Sequence, residues 1–254
     1  MIPFETLTIL PPPGEAPDGA ARSCLEQLTT RLRDTGRRME HVLSLTFCVA
    51  DREPGPYRET RSLVIDAVRV GFPESPPPVS VVGQPPEGGR RVALEAAVLL
   101  TGDSGATVER RSHEGHPYTV VVADGGRQVH AAGLASSDAA ATAVERSREA
   151  FAAAQAVLDA EGMDFGHVVR QWNYLEEMLD LHSTGCGDSQ GYQAVNDVRS
   201  VVYERSTFPT GYPPATGIGQ KVGGVAIELV AVEAASSDTV EAISNPKQVD
   251  AHRY

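Results

Sequence analysis

Cysteine is scarce in this sequence, and long apolar runs are missing from it. The 254 residues include only three cysteines, Cys24, Cys48 and Cys186. They are too few, too scattered and odd in number for a disulfide framework. No apolar run approaches the ~18 residues that a membrane span needs, and no signal-peptide leader opens the chain. We therefore expect a cytoplasmic protein that folds in a reducing compartment and does not contact a membrane.

Basic residues are also in deficit. The 22 lysines and arginines are outnumbered by 34 aspartates and glutamates, which gives a net charge of −12. Binding to nucleic acid or to an anionic membrane needs a positive surface, so both classes of partner are excluded. A small anionic ligand is still compatible with this charge, because a few local arginines suffice to bind it.

The chain contains an internal repeat. A helical pattern ends at Gly36 and a strand follows that opens with His41-Val42; the same order recurs at Gly162 and His167-Val168. The glycine and the histidine are five residues apart in both copies. A long internal period of this kind indicates two similar structural units.

The remaining elements repeat in the same order. Each copy continues with a second helix, a short strand of small residues and a closing strand, read from "PYRETRSLVIDAVRVG", "PPPVSVVG" and "RVALEAAVLL" and from "GYQAVNDVRSVVYE", "PPATGIG" and "VAIELVAVEA". A hairpin with its turn at Asp124-Gly125-Gly126 begins the second copy. We predict an α+β fold with two tandem domains, each a mixed sheet with two helices packed on one face. Domain 1 covers residues 1–104 with a shortened N-terminal hairpin, residues 105–117 form a linker, and domain 2 covers residues 118–254.

The segment "PPATGIGQKVGG" invites a nucleotide-binding interpretation that its spacing excludes. Gly217, Gly219 and Gly223 give G-x-G-x-x-x-G, which is not the dinucleotide fingerprint, and the segment follows a helix instead of a strand. The lysine of a P-loop directly follows a glycine and precedes Ser or Thr, unlike Lys221. We therefore expect no bound nucleotide here.

The repeated pattern resembles the RidA (YjgF-type) family of small imine and enamine deaminases, whose fold is chorismate-mutase-like. The resemblance covers nearly the whole chain as two tandem copies. It implies a homo-oligomer with trimer-like packing, with a ligand cleft where one unit meets the next.

The second half carries a narrower resemblance. "RQWNYLEEM", "GYQAVNDVRSVVYE", "YPPATGIG" and the C-terminal "NPKQVDAHRY" are similar, in this order, to the N-terminal domain of the chorismatases. Those enzymes cleave the enolpyruvyl ether of chorismate with water and use neither a metal nor an organic cofactor. The resemblance implies a lyase or hydrolase of specialised metabolism, without cofactors, whose partner is a small cyclic carboxylic acid.

Two family positions are altered. RidA deaminases grip the substrate with an arginine just after a Pro-Ala step, and we assign the corresponding positions to Val79 and Ala215. The first glutamate of a Glu-x-Glu pair on the last strand is replaced by Ala93 and Ala226, and only the second acid remains, as Glu95 and Glu228. The usual imine deamination is therefore disfavoured. A diverged deaminase or cyclisation helper, and a non-catalytic metabolite-binding protein, are the alternatives to the chorismatase-like enzyme.

The candidate site combines residues from both resemblances. Arg199, on the second helix of the second copy, matches a chorismatase arginine and is the candidate carboxylate anchor, with a surface ion pair as the alternative. Glu95, Glu228 and Tyr174 are candidate proton carriers, with structural roles as the alternative. Further candidate substrate-binding residues are Trp172, Tyr192, Thr216, Gly217 and Gly219; for these the alternative is core or strand packing. Trp172 and Tyr174 share one face of their strand, and Asn173 lies on the other.

Two tempting features carry no predicted function. His113 and His116 are three residues apart in the predicted linker and have no third ligand nearby, so no metal site is predicted. Cys186 lies in a predicted Gly/Ser loop without a base partner, and we interpret it as an exposed thiol.

Overall fold

The structure, a computed structural model, describes residues 2–100, 105–137, 142–184, 187–209 and 211–234, without the side chains of 182–184 and 187–189. We call residues 2–100 the first half and residues 105–234 the second half. Cys186 and the C-terminal "NPKQVDAHRY" segment lie outside the described residues.

The first half is a four-stranded mixed sheet with two helices. The strands are ordered β1-β4-β2-β3, and β3 is the one that runs parallel to its neighbour, β2. Its elements are β1 (Phe4–Ile9), α1 (Pro17–Asp34), β2 (Val42–Val49), α2 (Pro54–Gly71), β3 (Val79–Val82) and β4 (Val92–Leu99).

The second half repeats this arrangement and extends it. Its main sheet is ordered β11-β8-β12-β7-β6-β5, and a separate two-stranded hairpin is formed by β9 and β10. The elements are β5 (Thr107–His113), β6 (His116–Ala123), β7 (Gly126–Ala135), α3 (Ala143–Ala160), β8 (Val168–Glu176), β9 (Leu181–Thr184), β10 (Gly187–Gln190), α4 (Gly191–Tyr203), β11 (Ala215–Gln220) and β12 (Val225–Ala234).

The predicted repeat and fold class are confirmed. The order β7-β12-β8-β11 has the same connectivity and strand directions as β1-β4-β2-β3, so an offset of 126 residues relates β8 to β2 and α3 to α1. Gly36 and Gly162 have φ of +70° and +66°, the left-handed conformation that ends a helix and favours glycine. The predicted turn at Asp124-Gly125 joins β6 to β7.

Each pair of helices covers one face of its own sheet. In α1, Leu25, Leu28 and Leu32 recur at helical spacing and are buried with the inward residues of β2 and β4. The corresponding helix α3 uses smaller residues, such as Ala150 and Ala154, which allow it to approach β7 and β12 closely. The opposite face of each sheet is therefore left for contact between the halves.

Two local predictions differ from the structure. Residues 107–113, assigned to a linker, form the edge strand β5, and a hairpin of β9 and β10 is found where a loop was expected. Helix α3 begins after Thr142, whose side chain accepts a hydrogen bond from the amide of Glu145 in a capping box.

The two sheets contact each other through the faces that the helices leave open. Thr119 Oγ1 of β6 donates to the carbonyl of Leu43 at 2.7 Å, and the amide of Gly133 donates to Ser80 Oγ at 2.8 Å. Gly133 has φ of +69°, and a Cβ there would lie 2.1 Å from the carbonyl oxygen of Val79. Only glycine permits this close approach of the two backbones.

The end of the glycine-rich segment ties the halves together at a second place. The amide of Lys221 donates to the carbonyl of Gly83 at 2.8 Å, and the amide of Gly83 donates to Gln220 Oε1 at 3.1 Å. Val222 is buried in the hydrophobic core of the first half. The amides of Gly223 and Gly224 are bonded to Glu176 Oε2, at 3.0 and 2.6 Å. The segment thus has a structural role at the junction.

Candidate functional site

A cavity of about 180 Å³ lies between the two sheets. We call it the inter-sheet cleft. Its walls come from β1, β2 and β4 of the first half and from β7, β8 and β12 of the second. The lining includes Phe4, Thr6, Ser44, Thr46, Glu95, Ala97, His130, Trp172, Tyr174, Glu228 and Val230. The face that each sheet turns away from its helices is therefore the one with the polar and titratable groups.

The strand registers place equivalent residues of the two halves in equivalent rows. In the first sheet Glu95 pairs with Thr46, which pairs with Ser80. In the second sheet Glu228 pairs with Trp172, which pairs with Thr216. The same offset relates three positions on β2 to three on β8, with the larger side chain always in the second half: Ser44 to Arg170, Thr46 to Trp172 and Cys48 to Tyr174. At these three positions the large side chains, two aromatic rings and a guanidinium, thus come from the second half.

Glu228 is a buried carboxyl held by both halves. Thr46 Oγ1 of the first half donates to its Oε1 at 2.6 Å, and it is also hydrogen-bonded to Ser80 and Tyr174. Removal from water raises the pKa of Glu228, and the nearby charge of Glu95 adds to that effect. The three hydrogen bonds oppose the shift without reversing it.

Glu95 occupies the equivalent position in the first half but has a different environment. Its side chain is exposed at the cleft, whereas Glu228 is buried. Two carboxyls at equivalent positions of the repeat thus differ in their exposure to water. Such a difference in environment allows two carboxyls to have different roles in one reaction.

Tyr174 lies beside the buried carboxyl. Burial raises the pKa of its phenol, and the charge of Glu228 raises it further, so the hydroxyl stays protonated and donates to Glu228. Cys48, at the equivalent position of β2, is near both carboxyls, and burial raises the pKa of its thiol to about 11. A thiol with such a pKa is a poor nucleophile at neutral pH.

Arg170 is a cleft-facing residue that the sequence reasoning missed. Its Nη2 donates to Thr216 Oγ1 at 2.6 Å, and its Cζ lies 4.7 Å from the centroid of the Trp172 ring. Burial lowers the pKa of this guanidinium. The signal was present in the sequence, since Arg170 precedes Trp172 by two residues and so shares its face of the strand.

The predicted site residues fall on two sides of the second sheet. Glu95, Glu228, Tyr174 and Trp172 line the cleft, and the register puts Thr216 on the same face. The other four lie on the helix-covered side. There Arg199 of α4 places its Cζ 5.8 Å from the ring centroid of Tyr203, and Gly217 and Gly219 face Tyr192 or Met178.

The register also corrects the assignment of the family's gripping position. Val79 pairs with Leu45 and Ala215 with Gln171, both directed toward the helices, whereas the next residues, Ser80 and Thr216, face the cleft. A residue that grips a ligand in the cleft must point into it. The relevant positions are therefore Ser80 and Thr216, each occupied by a small hydroxyl residue.

Ala93 and Ala226 do face the cleft, next to Cys48 and Tyr174 in the strand registers. Their methyl groups supply no acid, so the carboxyls that these strands direct into the cleft are Glu95 and Glu228, two residues further along the same face.

His130 forms the far wall of the cleft. It is fully buried, its Nε2 lies 2.8 Å from the side-chain amide nitrogen of Gln128, and its ring packs edge-on against Phe4 at 4.9 Å. Burial, with the nearby positive charge of Arg110, lowers the pKa of His130 to about 3. The imidazole is thus neutral at physiological pH.

Within the ranges that the structure describes, no group of three His, Cys, Asp or Glu side chains is arranged to hold a metal ion. His113 and His116 flank the tight turn between β5 and β6. The described helices include none that is long and apolar enough to cross a membrane.

Comparison with known protein families identifies the second half. Residues 106–231 match the family model described as chorismatase FkbO/Hyg5-like, N-terminal. The matched range includes Arg170, Trp172, Tyr174, Thr216 and Glu228. The predicted resemblance is confirmed, and it concerns the half that supplies the large side chains of the cleft. No curated protein matches the sequence.

Several solved structures are similar to parts of the chain. A chorismatase shares 16% identity at a TM-score of 0.45, over 76% of this chain and 49% of its own; the chain thus spans about half of that enzyme's length. A Mycobacterium tuberculosis member of the YjgF/YER057c/UK114 family shares 18% identity at a TM-score of 0.33, over 45% of this chain and 84% of its own. A YjgF family member from Neisseria meningitidis shares 21% identity at a TM-score of 0.34, over 46% and 87%.

Proposed function

We propose that this chain, whose residues 106–231 match the N-terminal domain of FkbO/Hyg5-like chorismatases, is an enzyme that acts on chorismate or a similar small cyclic carboxylic acid. The chemistry is a cofactor-free lyase or hydrolase reaction that begins with proton transfer. The inter-sheet cleft is its active site, so both halves contribute to it.

The observation that carries the proposal is the unequal pair of carboxyls. Glu228 is buried and its pKa is raised, while Glu95 is exposed in the same cleft. General acid catalysis needs a carboxyl that holds its proton near neutral pH, and a second, ionised carboxyl can accept a proton from water. The hydrogen bonds from Thr46, Ser80 and Tyr174 hold the acid in one orientation.

With chorismate as the substrate, the reaction begins with protonation of the enolpyruvyl group. The protonated Glu228 donates its proton to the terminal methylene of the enolpyruvyl ether, which leaves an oxocarbenium ion and a Glu228 carboxylate. Water adds to the cation while Glu95 takes a proton from it, and the resulting hemiketal collapses to pyruvate and the ring alcohol. The proton then returns from Glu95 to Glu228 through solvent. The net reaction consumes one water and needs no oxidant.

The test is pyruvate release. Purified protein is incubated with chorismate, and pyruvate is followed by a coupled reduction. Glu228→Gln keeps the shape of the side chain and one acceptor oxygen but has no transferable proton, so we expect kcat to fall by about 10²–10⁴-fold. Arg199→Gln, on the helix-covered side, is the matched control and should leave kcat and KM unchanged.

Two results would refute the proposal. One is the absence of pyruvate from the wild-type protein, which would leave a metabolite-binding protein or a deaminase. The other is full activity in Glu228→Gln, which would show that the buried carboxyl is a structural link between the halves. Ammonia release from an amino-acid-derived imine distinguishes the deaminase.

A further inference from the structure

We propose that Arg170, Trp172 and Thr216 form a subsite that binds the carboxylate of a small organic acid at the β11 end of the inter-sheet cleft. This inference deepens the proposed function and rests on it for the location of the ligand. It replaces Arg199 of helix α4 as the carboxylate anchor and assigns that role to Arg170 of strand β8.

The guanidinium is held in place without being neutralised. The hydrogen bond to Thr216 Oγ1 and the contact with the Trp172 ring fix its position from two sides. The bond to Thr216 uses one of its five N–H donors, so donors remain that can form a bidentate pair with a carboxylate.

Arg170 differs in its charge balance from two other half-buried arginines of the second half. Arg127 is paired with Glu161 at 3.0 Å, and Arg146 with Glu176 at 3.6 Å. No Asp or Glu in the described part of the chain forms an ion pair with Arg170. A partly desolvated cation without a counter-ion is costly unless a ligand supplies the negative charge.

Arg170 is placed so that one ligand can contact both its guanidinium and the carboxyl of Glu228. The bond to Thr216 draws the guanidinium into the row formed by Glu228, Trp172 and Thr216. Two strand spacings separate β12 from β11, so the backbones of Glu228 and Thr216 are about 10 Å apart. A carboxylic acid with a small ring between its carboxylate and its reacting group spans such a distance.

The first-half side of the cleft leaves room for this ligand. Its lining includes the small side chains of Thr6, Ser44 and Ala97. The charge balance also favours a carboxylate over a phosphate. Glu95 already places a carboxyl in the cleft, and a doubly charged anion would meet more repulsion there than a single carboxylate.

The experiment uses the only tryptophan of the chain as its reporter. Shikimate, a cyclic carboxylate, is titrated into the full-length protein while Trp172 fluorescence is followed, and its methyl ester serves as the uncharged control. We expect saturable binding of shikimate and much weaker binding of the ester. Arg170→Gln should weaken shikimate binding by about 10- to 100-fold, because hydrogen bonds to a charged group are lost.

Arg199→Gln is the matched control, since Arg199 also lies over an aromatic ring of the second half but outside the cleft. Its affinity for shikimate should equal that of the wild type. If Arg170→Gln does not fold, Thr216→Val removes the support of the guanidinium and should weaken binding by about 2- to 10-fold. Arg170→Lys should recover only part of the affinity, because a lysine cannot form the bidentate pair.

Equal binding of shikimate by the wild type and Arg170→Gln, equal binding of the ester and the acid, or no saturable binding by the wild type would each overturn the subsite. The binding assay does not depend on turnover. Shikimate binding that requires Arg170, without pyruvate release from chorismate, would support the subsite and reject the proposed reaction. Pyruvate release with a KM unaffected by Arg170→Gln would do the reverse.

Discussion

The raised pKa of Glu228 makes folding stability depend on pH in a way that Glu228→Gln should abolish. In the folded protein the carboxyl keeps its proton above the ordinary value of 4.5, since burial disfavours its charge. In the unfolded chain the same carboxyl is already ionised above that pH. Between the two pKa values the folded state binds more protons than the unfolded state, so the free energy of unfolding must fall as pH rises.

The expected change in the free energy of unfolding with pH is that of a single titrating carboxyl. Within that window the contribution of Glu228 decreases by about 1.4 kcal/mol for each pH unit, and it levels off once pH exceeds the folded-state pKa. Urea denaturation of the wild type and of Glu228→Gln at successive pH values from 4.5 upward measures the difference between the two proteins. As pH rises, the free energy of unfolding of the wild type should decrease relative to that of Glu228→Gln.

Arg199→Gln supplies the control, because it changes a side chain on the helix-covered side and leaves the carboxyls of the cleft in place. Its difference from the wild type should show no comparable slope. A constant difference between the wild type and Glu228→Gln across the pH range would refute the reasoning. It would mean that the hydrogen bonds from Thr46, Ser80 and Tyr174 fully compensate for burial.

Three further predictions concern other parts of the molecule. Thr46→Val removes a hydrogen bond between the halves and should lower the free energy of unfolding by about 1–3 kcal/mol in urea titrations; an unchanged value would mean that the bond contributes nothing. Since burial lowers the pKa of His130 to about 3 while the unfolded value is 6.5, stability should be lost as pH falls through that interval, and His130→Gln should flatten this loss in acid denaturation. Glu161 joins Arg127 and Tyr118 to the end of α3, so Glu161→Gln should lower the melting temperature and cost about 2–3 kcal/mol. The homo-oligomer expected from the family resemblance remains a prediction; light scattering at a monomer mass would contradict it.

The fold was largely predictable because its elements have strong local signals. The leucine spacing of α1 indicates a helix. The glycines that end α1 and α3 and the His-Val strand openings recur in both copies, so each copy supports the interpretation of the other. The edge strand β5 was missed for a physical reason. Its sequence "TVERRSH" has a single aliphatic side chain and several charges, which protect an unpaired edge but resemble a linker.

The site was predictable only in part. Alternation along β8 established that Trp172 and Tyr174 share a face, but it could not establish that this face, and not the one next to Arg199, meets the first half. The sequence also did not reveal that Glu228 is buried and Glu95 exposed, because the two residues lie in closely similar segments, "VALEA" and "VAIEL". Whether such a residue is buried depends on the opposing sheet, and no local pattern contains that information.

The small residues of β2 correspond in the repeat to large residues of β8, and this asymmetry has a consequence for how such a cleft can change by mutation. In an assembly of identical copies, every substitution alters each wall at once, so a bulky ring or a cation introduced on one side appears on the other. Covalent linkage of two unlike units removes this constraint. Here Arg170 and Trp172 occur in the second half alone, and Ser44 and Thr46 stand at the equivalent positions of the first half. The two walls of the cleft therefore differ, and an asymmetric ligand can bind in one orientation only.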